Sequence, residues 1–162
     1  MKNGKVVILS APSGAGKTTI VKHLLEQENL NLEFSISACS RDKRQGEKHG
    51  VDYYFLPLAD FKKKIDEEAF VEWEEVYAGH YYGTPASELE RIWGKDHHVL
   101  FEVDVKGGLN LKNTFGENAL SVFIMPPSIE ELRRRLEARS TETPENINKR
   151  VEKAKEEMDS AG

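Results

Sequence analysis

One cysteine, Cys39, stands alone in 162 residues, so no disulfide can form within the chain and a reducing compartment is expected. No apolar run is long enough to span a bilayer, and neither a leader-type N-terminal segment nor a lipidation signature is present. Positive charge is not in surplus: 23 Lys and Arg stand against 28 Asp and Glu, a net −5, which argues against a general nucleic-acid or membrane binder. Internal repeats and low-complexity linkers are lacking too. What is there is ordinary for a globular protein, 38% hydrophobic and 31% charged residues, with length for one core or one core with small insertions. A soluble cytoplasmic protein, binding neither nucleic acid nor membrane, is the expectation.

Hydrophobic patterning supplies the coarse structure. Val6–Ser10 reads as a buried strand and Thr18–Glu28 as a helix with Ile20, Val21, Leu24 and Leu25 on one face. Phe34–Ser40 is a second strand, 41–55 a polar loop running into a strand, and Asp60–Glu68 a helix. Aromatic residues recur on roughly alternate positions from Phe70 to Thr84, which indicates short strands. Ser87–Trp93 reads as helix, and Val99–Val105 and Ser121–Met125 as buried strands. Ser128 with Glu131 forms a capping box for the helix 129–139, and Pro144 in a first turn opens another to about Met158. Strands alternating with helices indicate a three-layer α/β core on a mostly parallel sheet, with 36–84 as a small inserted lobe of different texture. The sequence stops straight after a helix, where such a core ordinarily continues into another strand.

Between the first strand and helix lies Ala11-Pro12-Ser13-Gly14-Ala15-Gly16-Lys17-Thr18, a phosphate loop whose usual first glycine is Ala11. Gly14 and Gly16 let backbone N–H groups approach phosphate oxygens, and the helix that follows aims its positive end at the same place. Lys17 then reaches the β- and γ-phosphates, and the Thr18 hydroxyl is placed to ligate Mg²⁺. A strand before and a helix after supply the context the motif requires. Glu102 and Asp104 lie two apart at the end of the Val99–Val105 strand, so both should project from one face at the sheet edge where ligands bind. One carboxylate can orient water around the ion, and the other contact a substrate. Acids at a strand end usually face solvent; the phosphate loop favours the functional reading.

The inserted lobe carries a second set of polar groups. Arg41 and Arg44 flank a turn and are suited to grip a smaller phosphate by bidentate hydrogen bonds, with hydroxyls from Tyr53 and Tyr82 completing the cradle. Glu72, among Phe70 and Trp73, matches the adjacent N1 and N2 donors of guanine, which adenine lacks on that edge. Hydroxyls of Ser37 and Thr84 can meet the guanine carbonyl oxygen.

At this point the chain resembles guanylate kinase, over about Lys5–Met158. The resemblance rests on the phosphate loop, S-x-x-x-R-x-x-R-x-G-E-x-x-G-x-D-Y-x-F at Ser37–Phe55, F-x-E-W at Phe70–Trp73, Y-Y-G-T at Tyr81–Thr84 and E-V-D at Glu102–Asp104. It continues through P-P-S-x-E-x-L at Pro126–Leu132, R-L-x-x-R at Arg135–Arg139 and I-N-K-R at Ile147–Arg150. One residue more than the family spacing lies between Glu72 and Tyr81. The resemblance implies a phosphate-loop NTPase core at 1–35 and 85–127, a GMP-binding lobe at 36–84, a helical lid at 128–150 and a helix to 158, the family's last strand and helix being absent. It places ATP phosphates on Pro12, Ser13, Gly14, Ala15, Gly16, Lys17, Thr18 and Thr19. GMP falls to Ser37, Arg41, Arg44, Tyr53, Glu72, Tyr82, Gly83, Thr84 and Asp104. Lys17, Arg41 and the lid arginines Arg135, Arg139 and Arg150 are implied to be catalytic, with Mg²⁺ on Thr18 and Glu102 acting through water.

The implied reaction is ATP + GMP ⇌ ADP + GDP by a monomer or homodimer, donor and acceptor being the only partners. Two other readings stay open. Kinase-like domains of this family also serve as non-catalytic modules that bind phosphorylated partners, but typically with a degraded phosphate loop, whereas Gly14, Gly16, Lys17 and Thr18 are intact here. A related small kinase with another phosphorylated acceptor would not need Glu72 together with Thr84 and Ser37.

Overall fold

The structure is a computed structural model describing residues 4–12, 14–138 and 143–161. It contains two sheets and, among the described residues, six α-helices. The chain divides into two compact units, Met1–Gly4 with Glu33–Val99 and Lys5–Leu32 with Leu100–Gly162. Ser13 and residues 139–142, Arg139 among them, lie outside the described residues.

The second unit holds the phosphate loop. β1 (Val6–Ser10) is buried along its length apart from Val7, as a strand covered on both faces must be. β8 (Ala119–Phe123) pairs with it in parallel, Val6 opposite Ala119 through Ser10 opposite Phe123. With β2 (Leu32–Phe34) and β7 (His98–Val103) the sheet order is β2-β7-β1-β8. α1 (Lys17–Leu25) leaves the loop after β1.

Parallel strands need crossover helices, and the one between β7 and β8 is α4 (Val105–Phe115). The 105–115 stretch did not read as helix, because Gly107, Gly108, Asn110 and Asn113 weaken both propensity and periodicity. Two contacts compensate. The Asp104 carboxylate caps the helix by accepting from Gly107 N at 2.8 Å, and Lys112 Nζ closes it by donating to the carbonyls of Gly116 and Ala119. At Gly108 the helix packs on β1, where a Cβ would meet Ser10 Cβ in ordinary contact at 3.5 Å.

α5 (Ile129–Ala138) and α6 (Pro144–Ser160) start where the caps predict. Ser128 Oγ accepts from Glu131 N, and Thr143 Oγ1 from Asn146 N ahead of Pro144. Their apolar faces, Leu132 and Leu136 with Ile147, Val151 and Ala154, close over Ala11 and Ala15 of the phosphate loop in one core cluster.

The first unit is built on a mixed sheet in the order β4-β3-β6-β5. β3 (Ala38–Cys39) and β4 (Tyr54–Phe55) are parallel, and β6 (His80–Pro85) runs antiparallel to both β3 and β5 (Phe70–Tyr77). The expected single strand at 34–40 is two short ones, because the Ile36 N–H between them turns to a carboxylate instead of a ladder. The β5–β6 register shifts between Phe70 and Glu72 and again between Glu75 and Tyr77. α2 (Leu58–Asp66) buries Phe61, stacked on Phe70 with centroids 4.5 Å apart, and α3 (Ala86–Trp93) follows β6. Among the described residues no helix is long and apolar enough to cross a membrane.

Leu132 is fully buried between the helix pair and the phosphate loop. Leu132→Ala is expected to cost about 2–5 kcal/mol of stability, measured as a lowered urea midpoint.

Candidate active site

The phosphate loop owes its shape to two left-handed residues, Gly14 (φ +87) and Gly16 (φ +90), a region that side chains disfavour. Gly14 is also short of space: a Cβ there would come within 3.0 Å of Leu136 Cδ2. α1 begins directly after Gly16 with no acidic residue in its first turn, so its unpaired N–H groups and positive dipole end face the loop without a competing carboxylate.

Around the loop is a pocket of about 280 Å³, lined by Pro12, Gly14, Gly16, Lys17 and Thr18 together with Asp104 and, from α6, Arg150, Lys153 and Glu157. Lys17 Nζ donates to the Val103 carbonyl at 3.1 Å, which holds the ammonium at the end of β7. Thr18 Oγ1 donates to Glu102 Oε1 at 3.1 Å. Burial pushes the Glu157 carboxyl up, with Lys153 opposing and Asp104 reinforcing the shift. Three cations thus share the pocket with two carboxylates, an arrangement suited to a polyphosphate.

Behind the loop, Arg135 Nε donates to Glu131 Oε1 at 2.8 Å and its Nη1 to the Ala15 carbonyl at 3.4 Å. Glu131 also takes two hydrogen bonds from Arg134, and these arginines hold its carboxyl down at about 2.

In the first unit Arg41 lies at the centre of a second polar cluster. Its side chain is 8% exposed, and the guanidinium covers the rings of Tyr53 and Phe55 at 5.1 and 5.5 Å. Nη1 and Nη2 form a fork with Glu47 at 2.8 and 2.7 Å, Nη1 also reaches the Asp42 carbonyl, and Nε donates to Tyr82 Oη at 3.2 Å. Glu47 accepts from Arg44 N at 2.8 Å as well, and the Arg44 side chain is exposed. Because Tyr82 oxygen accepts from Arg41, its own proton is left to point outward. Tyr53 and Tyr82 meet edge to face at 6.1 Å, and burial pushes the Tyr53 phenol up. Along the β5–β6 pair, Thr84 Oγ1 donates to Glu72 Oε1 at 2.8 Å. Gly83 beside them cannot carry a side chain: a Cβ would sit 2.9 Å from the Glu72 carbonyl and 3.0 Å from Trp73 Cβ.

The guanylate kinase family model matches residues 3–161 of the chain. The chain belongs to the guanylate kinase family. It is 54% identical to the guanylate kinase of Bacteroides thetaiotaomicron over 96% of this chain and 76% of that protein. To the Porphyromonas gingivalis guanylate kinase it is 51% identical over 95% of this chain and 82% of the relative. Among solved structures, that of the Anaplasma phagocytophilum guanylate kinase superposes with a TM-score of 0.71 at 33% identity, covering 96% of this chain and 71% of that one. The expected α/β fold with a phosphate-loop core agrees with this likeness.

Within that family fold the expected site residues fall into two groups. Pro12, Gly14, Gly16, Lys17, Thr18, Asp104 and Arg150 line the loop pocket; Ala15 is buried beneath Arg135, and Thr19 sits exposed on α1. Arg41, Tyr53 and Tyr82 form one cluster, Glu72, Gly83 and Thr84 a neighbouring stretch of the same sheet, and Ser37 leads into β3. Ser13 and Arg139 lie outside the described residues.

Three placements differ from the sequence reading. Asp104 is not on the strand with Glu102: β7 ends at Val103, and Asp104 is the N-cap of α4 with its carboxylate on Gly107 N. The forked face of Arg41 is taken by Glu47, since a buried guanidinium requires a counter-ion in place. The Thr84 proton goes to Glu72, so that hydroxyl does not simultaneously donate to a ring carbonyl. Lys153, Glu157 and Glu47 were not singled out, and Glu131 entered only as a capping residue. The spacing R-x-x-R-x-G-E carried a signal for Glu47; for the α6 pair, the i, i+4 spacing of Lys153 and Glu157 gave only an ordinary exposed-helix pattern.

Glu47 also sets a pH dependence. Its hydrogen bonds from Arg41, then the Arg44 N–H, lower its carboxyl from 4.5 to about 2. A lowered folded value means the stabilisation is complete above the unfolded value and disappears as pH falls through the folded one. The difference in urea midpoint between the wild type and Glu47→Gln is therefore expected to be constant above pH 4.5 and to narrow towards about pH 2.

Proposed function

We propose that this chain transfers the γ-phosphoryl group of ATP to GMP, giving ADP and GDP. The observation that carries the reading is the Glu72 carboxylate braced by Thr84 at 2.8 Å, in the same compact unit as the Arg41–Tyr53–Tyr82 cluster. A fixed carboxylate accepts the paired N1 and N2 donors of guanine, and the cluster offers positive charge and hydroxyl protons for a monophosphate. Ser37 adds a hydroxyl for the base. Arg44 brings a second guanidinium to the phosphate.

The loop pocket takes the donor. Backbone N–H groups at Gly14 and Gly16 and the start of α1 hold the phosphates, and Lys17 releases the Val103 carbonyl to reach them. No nucleophile on the protein is needed, because the acceptor phosphate is already ionised and attacks in line. Catalysis is then positioning and charge neutralisation: Arg41 and Arg44 orient the acceptor, while Lys17, Arg150 and Arg135 spread the charge that develops on the group in transit. Arg139, by its place in the family motif, belongs to the same set.

Thr18 and Glu102 fit a Mg²⁺ ion: a hydroxyl and a carboxylate meet at 3.1 Å beside Lys17, and among the described residues no cluster of three or more metal-binding side chains offers a dedicated cage. Such a partial set suits an ion that takes its remaining ligands from phosphates and water, with Thr18 as direct ligand and Glu102 through water. When bound, the ion neutralises phosphate charge. The lone, buried Cys39 suits a reducing cytoplasm, where both nucleotides are found.

A coupled ADP-release assay with GMP, AMP, UMP and CMP in parallel tests the reading. GMP is expected to exceed AMP in kcat/KM by at least about 10³-fold, and equal use of the two would overturn it. Lys17→Ala is expected to lower kcat by at least about 10²-fold with an unchanged melting temperature. Glu72→Gln should raise the KM for GMP and leave that for ATP alone.

A further inference from the structure

Among the described residues Glu88 is the charged side chain buried most completely, 2% exposed, and the phosphotransfer chemistry has no use for it. It stands in the first turn of α3, where a carboxylate is ordinarily served by solvent and the helix dipole. Burying it is costly unless its oxygens are met by donors, and here four donors meet them. Oε2 accepts from Ile36 N at 2.9 Å and Arg91 Nη2 at 2.7 Å; Oε1 accepts from Tyr54 Oη at 2.6 Å and Arg91 Nε at 3.1 Å. Burial alone would push the carboxyl up, but Arg91, Tyr54 and the Ile36 N–H outweigh it and keep the group ionised. The Tyr54 phenol is pushed up to about 12, by burial first and by Glu88 next.

These bonds close a ring. From Glu88 the path runs to Ile36 N, along the chain to Ser37, from the Ser37 carbonyl to Tyr54 N at 2.9 Å, and through the Tyr54 hydroxyl back to Glu88. Ser37 thus lies between two groups, the Ile36 N–H and Tyr54, that one carboxylate holds. Tyr54 is followed back along the chain by Tyr53, whose ring lies under Arg41 at 5.1 Å and against Tyr82 at 6.1 Å.

We propose that Glu88 is a positioning residue for the acceptor nucleotide, fixing the Ser37 hydroxyl and the Tyr53 phenol through the Ile36 and Tyr54 bonds without touching the nucleotide. The inference rests on the GMP-kinase reading of the same site. Glu33 supplies the internal control. Among the described residues its hydrogen bonds run to the same Arg91 and to Lys95 and His97, and not to Ser37 or Tyr53.

The experiment varies GMP and ATP separately for the wild type, Glu88→Ala, Glu88→Gln, Tyr54→Phe and Glu33→Gln, with a melting temperature for each. Glu88→Ala is expected to raise the KM for GMP about tenfold and leave the KM for ATP unchanged. Glu88→Gln, which keeps one accepting oxygen, should recover part of the loss, and Tyr54→Phe should raise the KM for GMP by a smaller factor. Glu33→Gln should lower the melting temperature without moving that KM. If Glu88→Ala does not fold, Glu88→Gln and Tyr54→Phe carry the same comparison. A wild type that turns over no GMP overturns the phosphotransferase reading and this inference with it. Wild-type turnover with an unchanged GMP KM in the Glu88 and Tyr54 variants, or an equal rise in Glu33→Gln, overturns the inference alone.

Discussion

A backbone can hold a polyphosphate only if its N–H groups turn towards one point and no side chain stands before them. In this chain that condition is met at Gly14 and Gly16, both left-handed, with Leu132 and Leu136 of α5 packed behind. The packing matters as much as the glycines. A left-handed glycine on a free loop would sample many conformations, whereas here Ala11 and Ala15 are buried in the same cluster as α5 and α6. Arg135 adds a bond to the Ala15 carbonyl from the same helix. The α5–α6 pair therefore does two things at once: it backs the loop, and it sends Arg150 and Lys153 into the pocket in front of it.

The acceptor cluster depends on a different constraint, the direction of protons. A carboxylate only accepts and a guanidinium only donates, so each hydroxyl between them has its role decided. Tyr82 accepts from Arg41 and keeps a proton to give. Thr84 gives its proton to Glu72 and keeps lone pairs. The β5–β6 pairing that makes this possible requires a residue without a side chain at Gly83, for steric reasons and not for any special backbone angle.

What could be read from the sequence was what is local in it. The phosphate loop, the capping box at Ser128 and Glu131 and the Pro144 helix start each depend on residues within one turn of one another, and each appears where expected. α4 escaped because its glycines and asparagines weaken the pattern, while its stability comes from the Asp104 cap and the bed of Ser10 and Ile8 under Gly108. Two-residue strands such as β3 and β4 are too short to show an alternation. Period-two reasoning put Asp104 on one face with Glu102, and failed because the strand ends at Val103, two residues earlier than expected. The carboxylate Glu88 was opaque for another reason: charged residues ordinarily face water, and only the fold brings Tyr54 and the Ile36 N–H to it.

Two of the arginines given to phosphate already carry a carboxylate partner: Arg41 has Glu47 and Arg135 has Glu131. For Arg41, whose side chain is 8% exposed, the pairing follows from burial, because a guanidinium taken out of water without a counter-ion is unstable. Arg135 is more open, and its bond to Glu131 is an i, i+4 pair along α5. Such an anion has a cost for binding, since an incoming phosphate must match or displace it, and affinity is reduced by whatever the internal bond contributed. It also discriminates. A phosphate bearing two negative charges competes with a single carboxylate for the fork of Arg41; a neutral or singly charged group has no such advantage. The same internal anion is ready to retake the arginine when product leaves. Glu47 in this way holds the buried Arg41 in place, and a phosphate bound there would have to take over its fork.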